Sequence, residues 1–286
     1  MKRGIIYSLI SVTLVSLNPL ILKFSLNHMS PIKSALITSL FSLIFCMILM
    51  NWRDFSISIL KQKTLFFVGL SNSLGLIALF ESLNLIGPIL VGMIGQLYLP
   101  ATIIFSAILL KEIISFKQFL LIVSMALGNV LFMYNPDSSQ INLVGIALCI
   151  LYISFFAICN TLIKKLTTQH NEKNILFGNL LYTVFFLLIY SFTQEKITTS
   201  IKVEGLILLA ITALCGGFLG QLFYYKAIQK IPFVLTNSLN ALQPIMIALF
   251  SWSYFPQQLN ILNSFGALLV FVTVLTLSIG YRKTKS

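Results

Sequence analysis

A few polar or ionisable residues of this 286-residue chain lie inside stretches that are otherwise apolar, so their chemistry needs a reason. Glu81 is the only acid not readily assigned to a loop, and a carboxylate at such depth can bind a cationic part of a substrate or carry a coupling proton. Asn18, Gln96, Asn160, Gln221, Asn237 and Asn240 offer amides that both donate and accept hydrogen bonds, and Tyr98 adds a phenol. Such a set suits recognition of a small polar molecule. Catalysis usually needs clustered carboxylates, a His/Cys metal set or a nucleophile beside a base. The two histidines, His28 and His170, fall in loops, no two acids are close within one apolar stretch, and no glycine-rich phosphate loop occurs. The chain therefore reads as a non-enzyme, with no metal and no cofactor.

Each of these residues also has a purely structural reading. Glu81 follows Thr64 by 17 residues, about 26 Å along a helix, and reaches the outer headgroup region if that helix ends early. Asn and Gln amides commonly bond across neighbouring membrane helices for roughly 1 kcal/mol. Lys23 and Lys226 sit near the ends of apolar stretches, where lysines extend their stems towards the interface. Tyr224 and Tyr225 fit an interfacial aromatic belt. Gly216 and Gly220 form a small-xxx-small pair that permits a close helix crossing, and Gly216 with Gly217 also permits bending.

The elements that must position these residues are membrane helices. The chain is 58% hydrophobic and 9% charged, with a mean hydropathy of +0.96, whereas a soluble domain is roughly 25% charged. Apolar stretches near 20 residues recur, and about 20 helical residues cross a hydrocarbon core of roughly 30 Å. Ten spans are expected, at 4–22, 32–50, 65–84, 88–110, 115–134, 141–163, 174–193, 204–225, 233–254 and 260–281. Runs such as 119–123 and 267–272 are apolar on every side, which excludes the alternation of a membrane barrel. The net charge of +12 reports orientation and not nucleic acid. With both termini in the cytoplasm, 15 of the 19 Lys and Arg fall inside, leaving Lys23, Lys33, Lys196 and Lys202 outside, as the positive-inside rule expects. Lys2 and Arg3 precede an apolar run with no small-residue cleavage site, so the first helix is read as uncleaved. Cys46, Cys149, Cys159 and Cys215 all lie within spans and form no disulfide or metal framework.

A repeat organises the spans. Pro88 and Pro100 return 144 residues later as Pro232 and Pro244, while Asn18, Lys23 and His28 return at an offset of 142 as Asn160, Lys165 and His170. Each unit then holds five helices, in residues 1–138 and 139–286, joined by the polar turn at 135–139. An odd number makes the second unit enter from the opposite side, so the repeats are inverted around a central cavity. Gln96 and Asn240 become repeat partners. Each lies four residues before a proline, Pro100 or Pro244, that removes a helical donor and bends a helix lining that cavity.

Three segments carry a resemblance to a known family. LLKEIIS at 109–115 resembles a short acidic turn between helices 4 and 5. GQLFYYKAIQKIP at 220–232 resembles the ending of helix 8, and GALLVFVTV at 266–274 the closing helix, of the EamA-like branch of the drug/metabolite transporter superfamily. Phe255 and Pro256 depart from the pattern, because the acidic turn residue is missing there. The resemblance implies an all-α integral membrane protein of ten helices in two five-helix repeats that carries amino acids, nucleotide derivatives or other metabolites. With no arginine inside a span, a multiply charged anion finds few partners, so a zwitterionic, cationic or neutral cargo such as an amino acid or its derivative is favoured. The expected function is secondary transport by alternating access in the cytoplasmic membrane. A lipid or lipid-linked flippase of the same architecture is the alternative, and a homodimer stays open.

Overall fold

The computed structural model describes all residues except 1, 26–28, 51–56, 96, 112–114, 134–141, 194–201, 252–259 and 284–286. Its elements are helices throughout: α1 (Lys2–Ser16), α2 (Asn18–Ser25), α3 (Pro31–Leu49), a 3-10 turn (Ile57–Lys61), α4 (Lys63–Gly95), α5 (Tyr98–Leu110) and α6 (Phe116–Met133). Then follow α7 (Leu143–Leu166), α8 (Glu172–Thr193), α9 (Val203–Thr212), a π-helical stretch (Ala213–Gly220), α10 (Gln221–Lys230), α11 (Phe233–Asn240), α12 (Gln243–Ser251) and α13 (Ile261–Lys283). Among the described residues, six helical segments are long and apolar enough to cross a membrane: Lys2–Leu22, Pro31–Leu49, Lys63–Ile86, Leu143–Leu166, Glu172–Thr193 and Val203–Lys230. Pro100–Leu110, Phe119–Phe132 and Ile261–Thr276 are shorter apolar helices.

The outer face of the bundle is apolar, unlike that of a soluble protein. Large apolar side chains such as Leu143, Phe192 and Ile261 face outward, whereas Ser8, Ser11, Ser16, Thr161, Thr183, Thr236 and Asn237 are buried between helices. Lipid tails are as apolar as leucine, so helices gain by turning small and hydrogen-bonding side chains towards one another. Half of those hydroxyls bond a carbonyl one turn back: Ser16 to Val12, Thr161 to Ala157 and Thr236 to Pro232.

Prolines decide where the rods break. Between α1 and α2 the chain makes a single tight turn, Leu17 N–H to Leu14 carbonyl, just before Pro19. The same device recurs at Leu97 before Pro100, bonded to Ile94, and at Ala241 and Leu242 before Pro244. In each case the proline supplies no N–H to its helix, and i→i+3 bonds tighten the turn before it. In the second repeat α7 passes straight through Asn160, because the next residue is Thr161 and not a proline.

Pro88 overturns one expectation. The sequence places a boundary between two helices at Gly87 and Pro88, yet α4 runs on without a break to Gly95, a rod of about 50 Å. A proline normally pushes the preceding residue into extended backbone by a clash with its Cβ. Gly87 has no Cβ and stays helical. Ile231, before the repeat partner Pro232, is β-branched and extended at φ −132° and ψ 159°, and there the chain does break. The separate spans 65–84 and 88–110 are thus replaced by one long helix, α4, and the shorter α5.

The packing repeats with the halves exchanged. α4 lies along α7 just as the α9–π–α10 rod lies along α1 and α2, and α8 meets α4 as α3 meets the π stretch and α9. α5 packs on α7 as α11 and α12 pack on α1, while α3 with α8 and α6 with α13 are their own counterparts. The α6–α13 crossing is close at Gly128 and Gly266, where an added Cβ on Gly266 would strike the backbone of Gly128 and Phe132.

Candidate functional site

Asn237 of α11 is the centre of a hydrogen-bonded chain that joins four helices. Its Nδ2 donates to the Phe233 carbonyl one turn back at 3.0 Å, which turns Oδ1 away from its own helix. That oxygen accepts from the Tyr224 hydroxyl of α10 at 3.0 Å and from the Tyr98 hydroxyl of α5 at 3.5 Å. The Tyr98 oxygen in turn accepts from Asn160 Nδ2 of α7 at 2.7 Å. Asn237 and Tyr224 are buried, while Tyr98 and Asn160 are half-buried. Tyr98 reaches the others because it opens α5 immediately after the break at Leu97.

A second chain runs beside the first. Tyr225, fully buried, accepts from Asn179 Nδ2 of α8 at 2.8 Å, the Thr183 hydroxyl donates to Asn179 Oδ1 at 3.3 Å, and Asn72 Nδ2 of α4 donates to Thr183 at 2.9 Å. The rings of Tyr224 and Tyr225 are 6.2 Å apart, so the two chains touch. Both tyrosines face the bundle, which corrects their reading as an interfacial belt. A belt residue faces lipid, and these spend their hydroxyls on amides of other helices. Next to Asn237 a small cleft between α5, α6 and α11, lined by Thr102, Ser106, Ile122, Val234 and Ser238, has room for about one water.

Asn18 goes elsewhere. It sits at the break between α1 and α2 and presses its amide onto Gly216 in the π stretch, where any Cβ would collide with it. Its Oδ1 is buried and has no hydrogen-bond partner. Ser42 of α3 occupies the corresponding space over Gly217 and donates to the Ala213 carbonyl at 3.3 Å, while Ser11 of α1 donates to the Gly220 carbonyl at 2.7 Å. The π stretch is thereby held at both ends by hydroxyls of neighbouring helices. Ser16 also reaches the Gln243 carbonyl at 3.4 Å, linking the α1–α2 break to the α11–α12 break. Irregular backbone at membrane depth is tolerated where it is buried in protein or lines a cavity, and π turns cluster at functional sites.

The remaining predicted residues divide. Glu81 is half-buried on α4 between the buried Phe80 and Ser82, and it lies outside both chains. The helix does not end at Glu81, which corrects the reading of an early helix end there. Gln221 and Asn240 are half-buried, at the start of α10 and the end of α11. Pro100 lies in the first turns of α5, and Pro244 is the second residue of α12. Gln96, His28, Glu112, Phe255, Pro256 and the turn at 135–139 lie outside the described residues. Lys226 stands over the rings of Phe223 and Tyr7, at 5.5 and 5.9 Å from their centroids. Asn72, Asn179 and Thr183 are contributors that sequence reasoning missed, since a single amide or hydroxyl in an apolar helix has no distinguishing neighbour.

A sequence model described as the EamA-like transporter family matches residues 2–134 and again 143–279. A search of curated proteins finds no match. A solved structure described as "Crystal structure of protein" aligns over 100% of both chains with a TM-score of 0.77 at 16% identity, a likeness of fold alone.

Proposed function

The chain belongs to the EamA-like transporter family, a family of multi-pass membrane transporters and not enzymes, and from that premise we propose that it moves a small polar metabolite by alternating access. The cargo is an amino acid or amino acid derivative, carried across the cytoplasmic membrane with both termini inside. The observation that carries this reading is the Asn160–Tyr98–Asn237–Tyr224 chain. It joins α5 of the first repeat to α7, α10 and α11 of the second, beside a helix broken at Leu97 and another broken at Ala241. Amides and phenols there present donors and acceptors without net charge, which suits a zwitterionic or neutral solute. The inverted relation of the repeats is supported by the exchange of halves in the packing. With room beside Asn237 for only about one water, the arrangement fits a closed conformation.

The test is reconstitution into liposomes with a panel of radiolabelled metabolites, comparing uptake with exchange and varying pH. Saturable transport of an amino acid supports the reading. Strong saturable transport of a dianion alone, or movement of labelled lipid between leaflets, would replace it. Within the same assay Glu81→Gln is expected to lower uptake or flatten its pH dependence, and unchanged transport across pH removes Glu81 from the mechanism.

A further inference from the structure

Asn129 of α6 is fully buried, and neither its carbonyl oxygen nor its amide nitrogen has a hydrogen-bond partner. An amide has two donor and two acceptor positions, and burying them unmet is costly in a packed interior. Its face is fixed by its neighbours. Ile122 shares the cleft beside Asn237 with Val234, and Ile122 and Met125 pack with Leu235, Leu239 and Ala241. Asn129 follows Met125 by one helical turn on the same face. α6 also packs on α12. Ala241, in the same apolar cluster as Met125, marks the break at which the Asn240 carbonyl receives no N–H from Pro244.

Packing alone does not call for an amide here. The repeat counterpart, Thr273 of α13, bonds its hydroxyl to the Leu269 carbonyl of its own helix and is complete. We propose that Asn129 is a cargo-binding residue that reads a paired donor and acceptor, such as the ammonium and carboxylate of an amino acid, when α6 separates from the α11–α12 break. This rests on the transporter reading above and extends it to a residue outside the Asn237 chain.

The purified protein in detergent is titrated with each of the twenty standard amino acids while its thermal unfolding is followed, for wild type and for Asn129→Leu. At least one amino acid is expected to raise the wild-type midpoint. Asn129→Leu is expected to unfold without ligand at or above the wild-type temperature, since the unmet amide is gone, and to bind that amino acid roughly tenfold or more weakly. An Asn129→Leu protein that binds as tightly as wild type overturns the role of Asn129 and leaves the cargo reading standing. No response from wild type overturns the cargo reading and this inference with it. If Asn129→Leu does not fold, Asn129→Ala answers by the same comparison.

Discussion

One carbonyl oxygen, Asn237 Oδ1, accepts from two phenols, and that inequality sets the order of mutational effects. Tyr98→Phe leaves Asn237 bonded to Tyr224 and strands only the Asn160 amide. Tyr224→Phe leaves Asn237 bonded to Tyr98. Asn237→Ala takes the acceptor from both O–H donors in a buried site, at about 1–3 kcal/mol for each unmet donor, although Tyr98 keeps the bond it accepts from Asn160. Asn237→Ala is therefore expected to lower thermal stability more than either phenol variant, and Tyr98→Phe with Tyr224→Phe should show coupling in a double-mutant cycle. Equal stability of Asn237→Ala and Tyr98→Phe would show that the shared acceptor is not the centre. Tyr98, Asn160 and Asn237 were legible as polar groups out of place in apolar helices, and the fold brings these three together. Tyr224 was not, because a tyrosine near a helix end reads equally well as an interface anchor. Asn18 and Asn160 are repeat partners, but the next residue is Pro19 after one and Thr161 after the other, which places one at a break and the other within a straight helix.

At the scale of elements, proline positions were legible but their consequences were not. Pro19, Pro100 and Pro244 each sit just after a break, whereas Pro88 lies inside α4 because the residue before it is a glycine. A second feature invisible in the sequence is the π stretch, since nothing in ALCGGFLG demands a wider turn than the α-helix. Its glycines show how it is accommodated: Asn18 fills the space over Gly216, and Ser42 the space over Gly217. Gly216→Ala forces a methyl group into the Asn18 amide and is expected to destabilise the protein by about 1–3 kcal/mol, as overpacking generally does. Asn18→Ala in the same chain removes every atom that the new methyl would meet most closely. The double variant should recover most of the lost stability. Thermal unfolding of the four proteins of that cycle checks it, and simple additivity would mean that the glycine serves backbone bending and not the contact with Asn18.

At the scale of the whole molecule the two halves share a packing plan but not a polar network. The repeat equivalents of Asn160, Tyr98, Asn237 and Tyr224 are Asn18, Leu242, Met93 and Phe80, so three of the four groups become apolar on exchange. A two-fold related pair of repeats would place the mirror-image closure at the opposite end of the cavity, where apolar contacts replace hydrogen bonds. The two closed ends are then unequal in strength, and orientation in the membrane decides which compartment faces the stronger one. The rod Val203–Lys230 reports that orientation, because its 28 residues hold the exposed Lys202 just before one end and Lys230 at the other, about 42 Å apart along the axis. Cysteines introduced as Lys202→Cys and Lys230→Cys, in a protein whose half-buried Cys215 is replaced by alanine, can be labelled in intact cells with a membrane-impermeant maleimide. With basic loops held inside, Lys202→Cys is expected to react at once and Lys230→Cys only after the membrane is opened. The reverse pattern would put both termini outside and turn the hydrogen-bonded end towards the other compartment, and labelling of both sites in intact cells would mean that this rod does not cross the membrane.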